Sequence, residues 1–103
     1  MRLIFAEPAA QDIKDIIAYI ALEDRQAAEA VYRAIMKATG LLLEFPALGH
    51  PGRLPGTREY SITALPYVLV YQADSSAVTV LAVFHGARDL ARALASRRKE
   101  LGG

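Results

Sequence analysis

The pattern of apolar positions in the first 45 residues predicts a short strand followed by two helices. Residues 3–6 form an apolar run that ends before Pro8, and proline suits the first turn of a helix. Apolar residues at helical spacing then predict a first helix over residues 8–22 and a second that ends near Phe45-Pro46. Three polar residues, 23–25, separate the two helices, so they should form an antiparallel hairpin. The residues that define the two apolar faces are Ile13, Ile16, Ile17 and Ile20, and then Ala28, Val31, Ile35, Ala38 and Leu42.

The second half of the chain changes to a strand pattern. A loop rich in proline and glycine covers residues 46–56, and residues 57–63 then alternate, with Arg58 on one face and Glu59 on the other. Residues 65–72 and 77–84 are apolar and β-branched, and Asp74-Ser75-Ser76 between them is typical of a hairpin turn. We therefore predict an α+β fold: an N-terminal strand at one edge of a small sheet, a helix hairpin, and a three-stranded antiparallel meander.

Residues 89–101 are rich in alanine, leucine and arginine, which predicts a C-terminal helix. Its apolar surface is small, so we expect it to dock loosely or to be ordered by another protein. With 103 residues the chain is predicted to be a single domain, 1–103.

Composition excludes several classes of protein. Apolar residues make up 53% of the chain, so it should fold, and the absence of cysteine excludes disulfides and thiolate metal sites. The two histidines, His50 and His85, match no zinc spacing, and no phosphate-binding glycine loop occurs, so we expect no metal and no cofactor. No apolar run approaches the ~20 residues that span a bilayer, so we expect a soluble, cytoplasmic protein.

Charge is divided unevenly between the two halves. Residues 1–50 carry five basic and seven acidic side chains, whereas residues 51–103 carry seven basic and four acidic ones. The basic residues of the second half are nearly all arginine, which suits phosphate or carboxylate ligands. A solvated face with ordinary surface arginines is an equally good interpretation.

The strand half contains residues for two kinds of interaction with nucleic acids, RNA cleavage and stacking on bases. A ribonuclease site could use cations with a general acid and base, for which Arg53, Arg58, His85 and Arg88 are available. The interpretation we favour is that Arg58 pairs with Glu59 or Asp89 and that His85 is a strand-end histidine with a backbone partner. Tyrosines could also stack on bases, although tyrosines of a strand more often line the rim of a core. These tyrosines are Tyr60, Tyr67 and Tyr71.

Five short phrases in this order resemble the RelE/ParE superfamily of bacterial toxins, which are the toxic halves of type II toxin–antitoxin pairs. Helix one, with Asp12-Ile13 and Tyr19-Ile20, is similar to the ParE branch. The phrases are Phe45-Pro46, Gly52-Arg53, Gly56-Thr57-Arg58-Glu59, Leu65-Pro66-Tyr67 and His85-Gly86-Ala87-Arg88-Asp89.

The resemblance to the ParE branch implies a toxin that binds DNA gyrase and blocks replication, without enzymatic activity of its own. It also implies a cognate antitoxin that neutralises the toxin in a hetero-oligomer, with operator DNA bound only through the antitoxin. Residues that match the phrases are then candidate contacts for the target or the antitoxin. They are Arg53, Arg58, Glu59, Tyr67, His85 and Arg88.

The RelE branch implies the alternative, a ribosome-dependent mRNA endonuclease. Its catalytic set would be Arg58, His85 and Arg88. However, no tyrosine follows Tyr71 and no lysine lies between Lys37 and Lys99, so the sequence departs from that set and we assign no catalytic residue. A third hypothesis is a weakly toxic member of the superfamily that is retained for operator binding.

Overall fold

The computed structural model describes residues 1–86, which form two helices and five strands. The predicted α+β class is confirmed, whereas the predicted helix over residues 89–101 lies outside the described residues. The elements are β1 (Arg2–Phe5), α1 (Glu7–Ala21), α2 (Arg25–Glu44), β2 (His50–Pro51), β3 (Arg58–Ser61), β4 (Tyr67–Ala73) and β5 (Ala77–His85).

The two helices pack against each other and against the sheet. Pro8 lies in the first turn of α1, as its missing N–H allows. Asp24 begins α2, because its carboxylate accepts a hydrogen bond of 3.0 Å from Ala27 N–H and so satisfies one free donor of the first turn. Neither helix of residues 1–86 combines the length and apolar character that crossing a membrane requires.

The five strands form one sheet in the order β1-β5-β4-β3-β2. β1 lies at one edge, parallel to β5, and the other neighbouring strands are antiparallel. β2 was not predicted. It is only two residues long, His50 and Pro51, inside the proline-rich loop, and two residues are too few to show an alternating pattern.

The sheet has apolar side chains on both faces. On the inner face, which the helices cover, Tyr71 and Val80 are fully buried in the main core with Ile35 and Leu42 of α2. On the outer face, Val70 and Ala82 form a second, smaller cluster with Leu54 and Phe84. Since Leu54 belongs to the loop before β3, that loop folds over the outer face of the sheet.

The turn between β4 and β5 lies where the sequence predicted it, and one carboxylate stabilises it. Hydrogen bonds from Ser76 N–H, from the Ser76 hydroxyl and from Ala77 N–H hold the pKa of the Asp74 carboxyl below its usual 3.8. The folded state therefore favours the charged form, and this contribution to stability is present above the usual pKa and is lost as the pH falls.

We expect Asp74→Asn to lower the free energy of unfolding at neutral pH, because it removes the charge while retaining an acceptor. The difference from wild type should shrink as the pH falls below 3.8, where the wild-type carboxyl also becomes neutral. Urea unfolding at a series of pH values measures this difference. A difference that does not change with pH would contradict the role given to the charge.

Gly40 lies in the interior of α2, exposed, with no atom within 4 Å of where a Cβ would stand. Gly40→Ala should therefore raise the free energy of unfolding by about 0.5–1 kcal/mol, since glycine loses more backbone entropy in a helix than alanine. The matched reverse change is Ala30→Gly at an exposed position of the same helix, which should lower stability by a similar amount. Denaturant unfolding of both variants tests the expectation, which fails if Gly40→Ala is the less stable protein.

Candidate functional site

A recess of about 300 Å³ lies on the outer face of the sheet. β3 and β4 supply part of its wall, and the loops before β3 and around Gly86 supply the remainder. Charged, hydroxyl and apolar side chains all contribute to the lining, so the recess can contact both polar and apolar parts of a ligand. The lining residues are His50, Pro51, Arg53, Glu59, Ser61, Leu65, Pro66, Tyr67, Val68 and Gly86.

The loop of residues 46–57, here called the anchored loop, carries His50 and Arg53 to the recess. Tyr71 holds its beginning: the buried hydroxyl donates to Pro46 O at 2.8 Å and accepts from Gly49 N–H at 2.9 Å. Gly49 allows this close approach, since a Cβ there would stand 2.7 Å from Glu59 O and 2.8 Å from the tyrosine oxygen. The loop is therefore positioned by hydrogen bonds to the sheet.

Arg58 also holds the anchored loop, a role that the sequence did not predict. It pairs across the sheet with Tyr71, so it lies on the inner face. Its Nη1 donates to Gly49 O, with a longer contact of 3.5 Å to Ala47 O. The favoured prediction that Arg58 pairs with Glu59 or Asp89 is wrong as to Glu59, which lies on the opposite face, while Asp89 lies outside the described residues.

Glu59 is buried on the outer face, with only 4% of its surface exposed. It lies opposite Val70 in the sheet, and its Oε2 accepts a hydrogen bond of 2.9 Å from Arg53 N–H. This bond fixes the backbone from which the exposed Arg53 side chain extends. Glu59 was predicted as a contact residue, and the structure also makes it the second anchor of the loop.

Tyr67 joins the recess to the end of β5. Its ring meets the His85 ring edge-on with 5.5 Å between centroids. Partial burial raises the pKa of the Tyr67 hydroxyl, so that it stays protonated and able to donate a hydrogen bond to higher pH. His85 is exposed at the strand end. The two rings therefore make one continuous surface beside Gly86.

The recess unites only part of the predicted site. Arg53, Glu59 and Tyr67 line it, and His85 contacts the ring of Tyr67. Arg58 lies on the other face of the sheet. Arg88 lies outside the described residues. Arg58 and His85 do not converge, because their positions are separated by four residues along β4, about 13 Å.

Two lining residues with polar side chains, His50 and Ser61, were not predicted as site residues from the sequence. Ser61 could have been found, because it alternates with Glu59 on the same face of β3. His50 gave no signal, since nothing in the loop sequence reveals the short strand β2 that pairs it with Glu59. Among residues 1–86 no three histidine, cysteine or acidic side chains are grouped to hold a metal ion.

The three strand tyrosines take different positions. Tyr60 and Tyr67 are partly buried against the core, as the rim interpretation predicted. Tyr71 departs from it, because the ring is fully buried and the hydroxyl bonds to the anchored loop rather than to solvent. Tyr71 is therefore not available to stack on a base.

Comparison with known proteins identifies a family. Residues 3–90 match the profile of the family described as "ParE toxin of type II toxin-antitoxin system, parDE". A Sinorhizobium fredii protein (strain NBRC 101917 / NGR234) named "Putative toxin Y4kP" is 38% identical over 77 residues, which are 75% of this chain and 79% of that protein.

Two solved structures share the fold at 20% identity. A structure described as the chromosomal ParDE TA system from P. aeruginosa superposes with a TM-score of 0.73 and covers 84% of this chain and 96% of its own. A crystal structure of the isolated E. coli RelE toxin superposes with a TM-score of 0.55 and covers 94% and 96%. Both likenesses concern the fold alone, two helices packed on a mostly antiparallel sheet.

Proposed function

Because this chain belongs to the ParE toxin family of type II toxin–antitoxin systems, we propose that it binds and inhibits DNA gyrase, with no enzymatic activity of its own. The observation that carries the second half of this proposal is the position of Arg58. A nuclease would need its cations and its acid or base around one phosphate. Arg58 instead donates to backbone carbonyls of the anchored loop and lies far along the sheet from His85.

The outer face around the recess is the proposed contact surface for gyrase. Arg53 is exposed there. Its N–H donates to Glu59 Oε2, and Gly52 N–H donates to Thr57 O at 2.8 Å, so two hydrogen bonds fix the backbone of this segment. A fixed backbone reduces the entropy that the arginine loses on binding. Arginines in such positions often dominate the energy of an interface.

Arg53→Ala is expected to weaken gyrase inhibition. The concentration that halves the supercoiling rate should rise about tenfold, which corresponds to about 1.4 kcal/mol of binding energy. Folding should be unaffected, because Glu59 bonds to the backbone and not to the side chain of residue 53. The matched control is Arg33→Ala, an exposed arginine on α2. Equal inhibition by wild type and Arg53→Ala would exclude Arg53 from the contact.

The whole proposal is tested with purified protein and DNA gyrase in a supercoiling assay. Inhibition that rises with the amount of toxin, together with trapped cleaved DNA, is expected. Primer extension on mRNA after induction of the protein gives the opposing test. New cuts within codons, with supercoiling unchanged at large molar excess, would overturn the proposal in favour of an mRNA endonuclease.

The proposal includes a cognate antitoxin that binds the helical side of the molecule. A groove of about 450 Å³ lies between α2 and β3, and its walls are mainly apolar. Such a groove fits an amphipathic helix or an extended segment of a protein that is disordered when free. Apolar side chains also stand exposed on the hairpin, with Tyr19 77% and Leu22 82% exposed. The groove residues are Ala34, Lys37, Ala38, Leu41, Tyr60, Ile62 and Thr63.

The neighbouring open reading frame offers a direct test of the antitoxin. Its product should form a hetero-oligomer with this chain and restore gyrase activity in the supercoiling assay. Operator DNA should bind to the complex and not to this chain alone. A product that binds this chain without restoring gyrase activity would contradict neutralisation.

A further inference from the structure

We propose that the recess on the outer face is a binding site for an organic cation, a guanidinium or alkylammonium group, which is received by the buried carboxylate of Glu59. This inference goes beyond gyrase inhibition and does not depend on it. It starts from the carboxylate of Glu59, in which one of the two oxygens has a hydrogen-bond partner. Arg53 N–H occupies Oε2, and within residues 1–86 no donor bonds to Oε1.

The second carboxylate oxygen faces the recess. Glu59 is 4% exposed and lines the recess, and no fully buried side-chain oxygen in the described part of the chain lacks a hydrogen bond. Oε1 therefore keeps its remaining accessible surface on the recess side. A carboxylate that is buried with only one hydrogen bond has lost hydration free energy that the protein replaces only in part. A cation beside it would recover some of that free energy.

The walls of the recess favour a cation with an organic body. Pro51, Leu65, Pro66 and Val68 are apolar, and apolar walls lower the local dielectric constant, which strengthens the attraction between unlike charges. The volume of about 300 Å³ is about ten times the share of one water molecule, enough for a charged head and part of its alkyl stem.

Arg53 determines which cation fits. Its side chain is exposed and also lines the recess, so a bare cation meets a like charge at the entrance. A ligand that carries an acidic group beside the basic one would satisfy both residues, with the cation on Glu59 and the anion on Arg53. A protein segment in which arginine or lysine is followed by an acidic residue has this chemistry, and so does a free amino acid.

The experiment titrates isotope-labelled protein with methylguanidinium and follows backbone amide shifts by NMR. We expect saturable shifts at the lining residues with a dissociation constant on the order of 1–10 mM. N-methylurea, which has the same shape without the charge, should bind at least about tenfold more weakly. Equal binding of the two probes, or no saturable shift, would overturn the proposal.

Glu59→Gln is the matched variant, because glutamine retains an oxygen that can accept from Arg53 N–H while losing the charge. Methylguanidinium binding should fall about tenfold, with hydrogen exchange at the Arg53 amide unchanged. Unchanged binding would contradict the role of the carboxylate. If hydrogen exchange at that amide increases, the substitution has opened the anchored loop. The role of the charge is then tested by comparing methylguanidinium with N-methylurea on the wild-type protein.

A third probe separates the two sources of the cation. The blocked dipeptide acetyl-Arg-Glu-amide should bind more tightly than methylguanidinium. Arg53→Ala should abolish that gain without weakening methylguanidinium binding, because it removes the partner of the acidic group and also the like charge at the entrance. This result would identify a protein segment as the ligand. Free L-arginine binding more tightly than the dipeptide would support the same site with a small molecule as its ligand.

Discussion

Tyr71→Phe is expected to lower the free energy of unfolding by about 2–4 kcal/mol, because it leaves two backbone groups without their hydrogen bonds. The hydroxyl is the acceptor for Gly49 N–H and the donor to Pro46 O, and Tyr71 itself has no exposed surface. Phenylalanine keeps the ring and its packing. The loss therefore measures how strongly the anchored loop is attached to the sheet.

Denaturant unfolding measures the change, and amide hydrogen exchange at Gly49 locates it. The matched control is Tyr60→Phe, since Tyr60 is half-buried on the same face of the sheet and its hydroxyl makes no hydrogen bond within residues 1–86. That variant should lie within about 0.5 kcal/mol of wild type. Equal losses in the two variants would show that the hydrogen bonds of Tyr71 are not what holds the loop.

Asp12→Ala is expected to lower the free energy of unfolding by about 1.5–3 kcal/mol, which is the range for losing a hydrogen bond to a charged group. The pairing of β1 with β5 ends at Val80, where Ala6 N–H still donates to its carbonyl. Further along β5, on the side away from β4, no strand of the described residues 1–86 lies beside Val83 N–H. Asp12 of α1 supplies the missing acceptor with Oδ2 at 3.0 Å, and so joins the first helix to the sheet.

Asp12→Asn should recover part of this loss, because its amide oxygen can still accept from Val83 N–H. Asp15→Ala is the control on the same helix. Within residues 1–86 its carboxylate accepts only the exposed Gln11 amide at 2.8 Å, and its removal should cost about 0.2–0.5 kcal/mol. Thermal and urea unfolding compare the three variants. An Asp12→Ala protein as stable as Asp15→Ala would exclude the helix-to-sheet bond as a stabilising element.

Local patterns in the sequence were sufficient for most of the secondary structure. The isoleucine face of α1 and the alternation of Arg58 with Glu59 arise from residues three, four or two positions apart, so they need no knowledge of the fold. Asp74 as a turn residue is equally local, since its hydrogen bonds reach only two and three residues ahead. β2 could not be predicted, because this two-residue strand is defined only by its pairing with β3.

The roles within the candidate site could not be predicted in the same way. Arg58 and Glu59 were both expected to contact the target or the antitoxin, because they belong to a phrase that resembles the toxin family. The structure adds that both residues bind the backbone of the anchored loop, one from each face of β3. Their partners are six and nine residues away along the chain, and nothing in the order of residues reveals how the loop folds back.

The amino-acid sequence alone thus determined the helices, the strands, the alternation of faces and the resemblance to a toxin family, since each follows from neighbours in the chain or from short phrases. The tertiary structure decided which polar side chains hold the loop and which remain for a ligand. The physical reason is that a buried polar group is bound by whichever backbone groups the fold brings beside it. For Glu59 and Tyr71 these groups come from the anchored loop, which is held at the start of β3 and lines the recess.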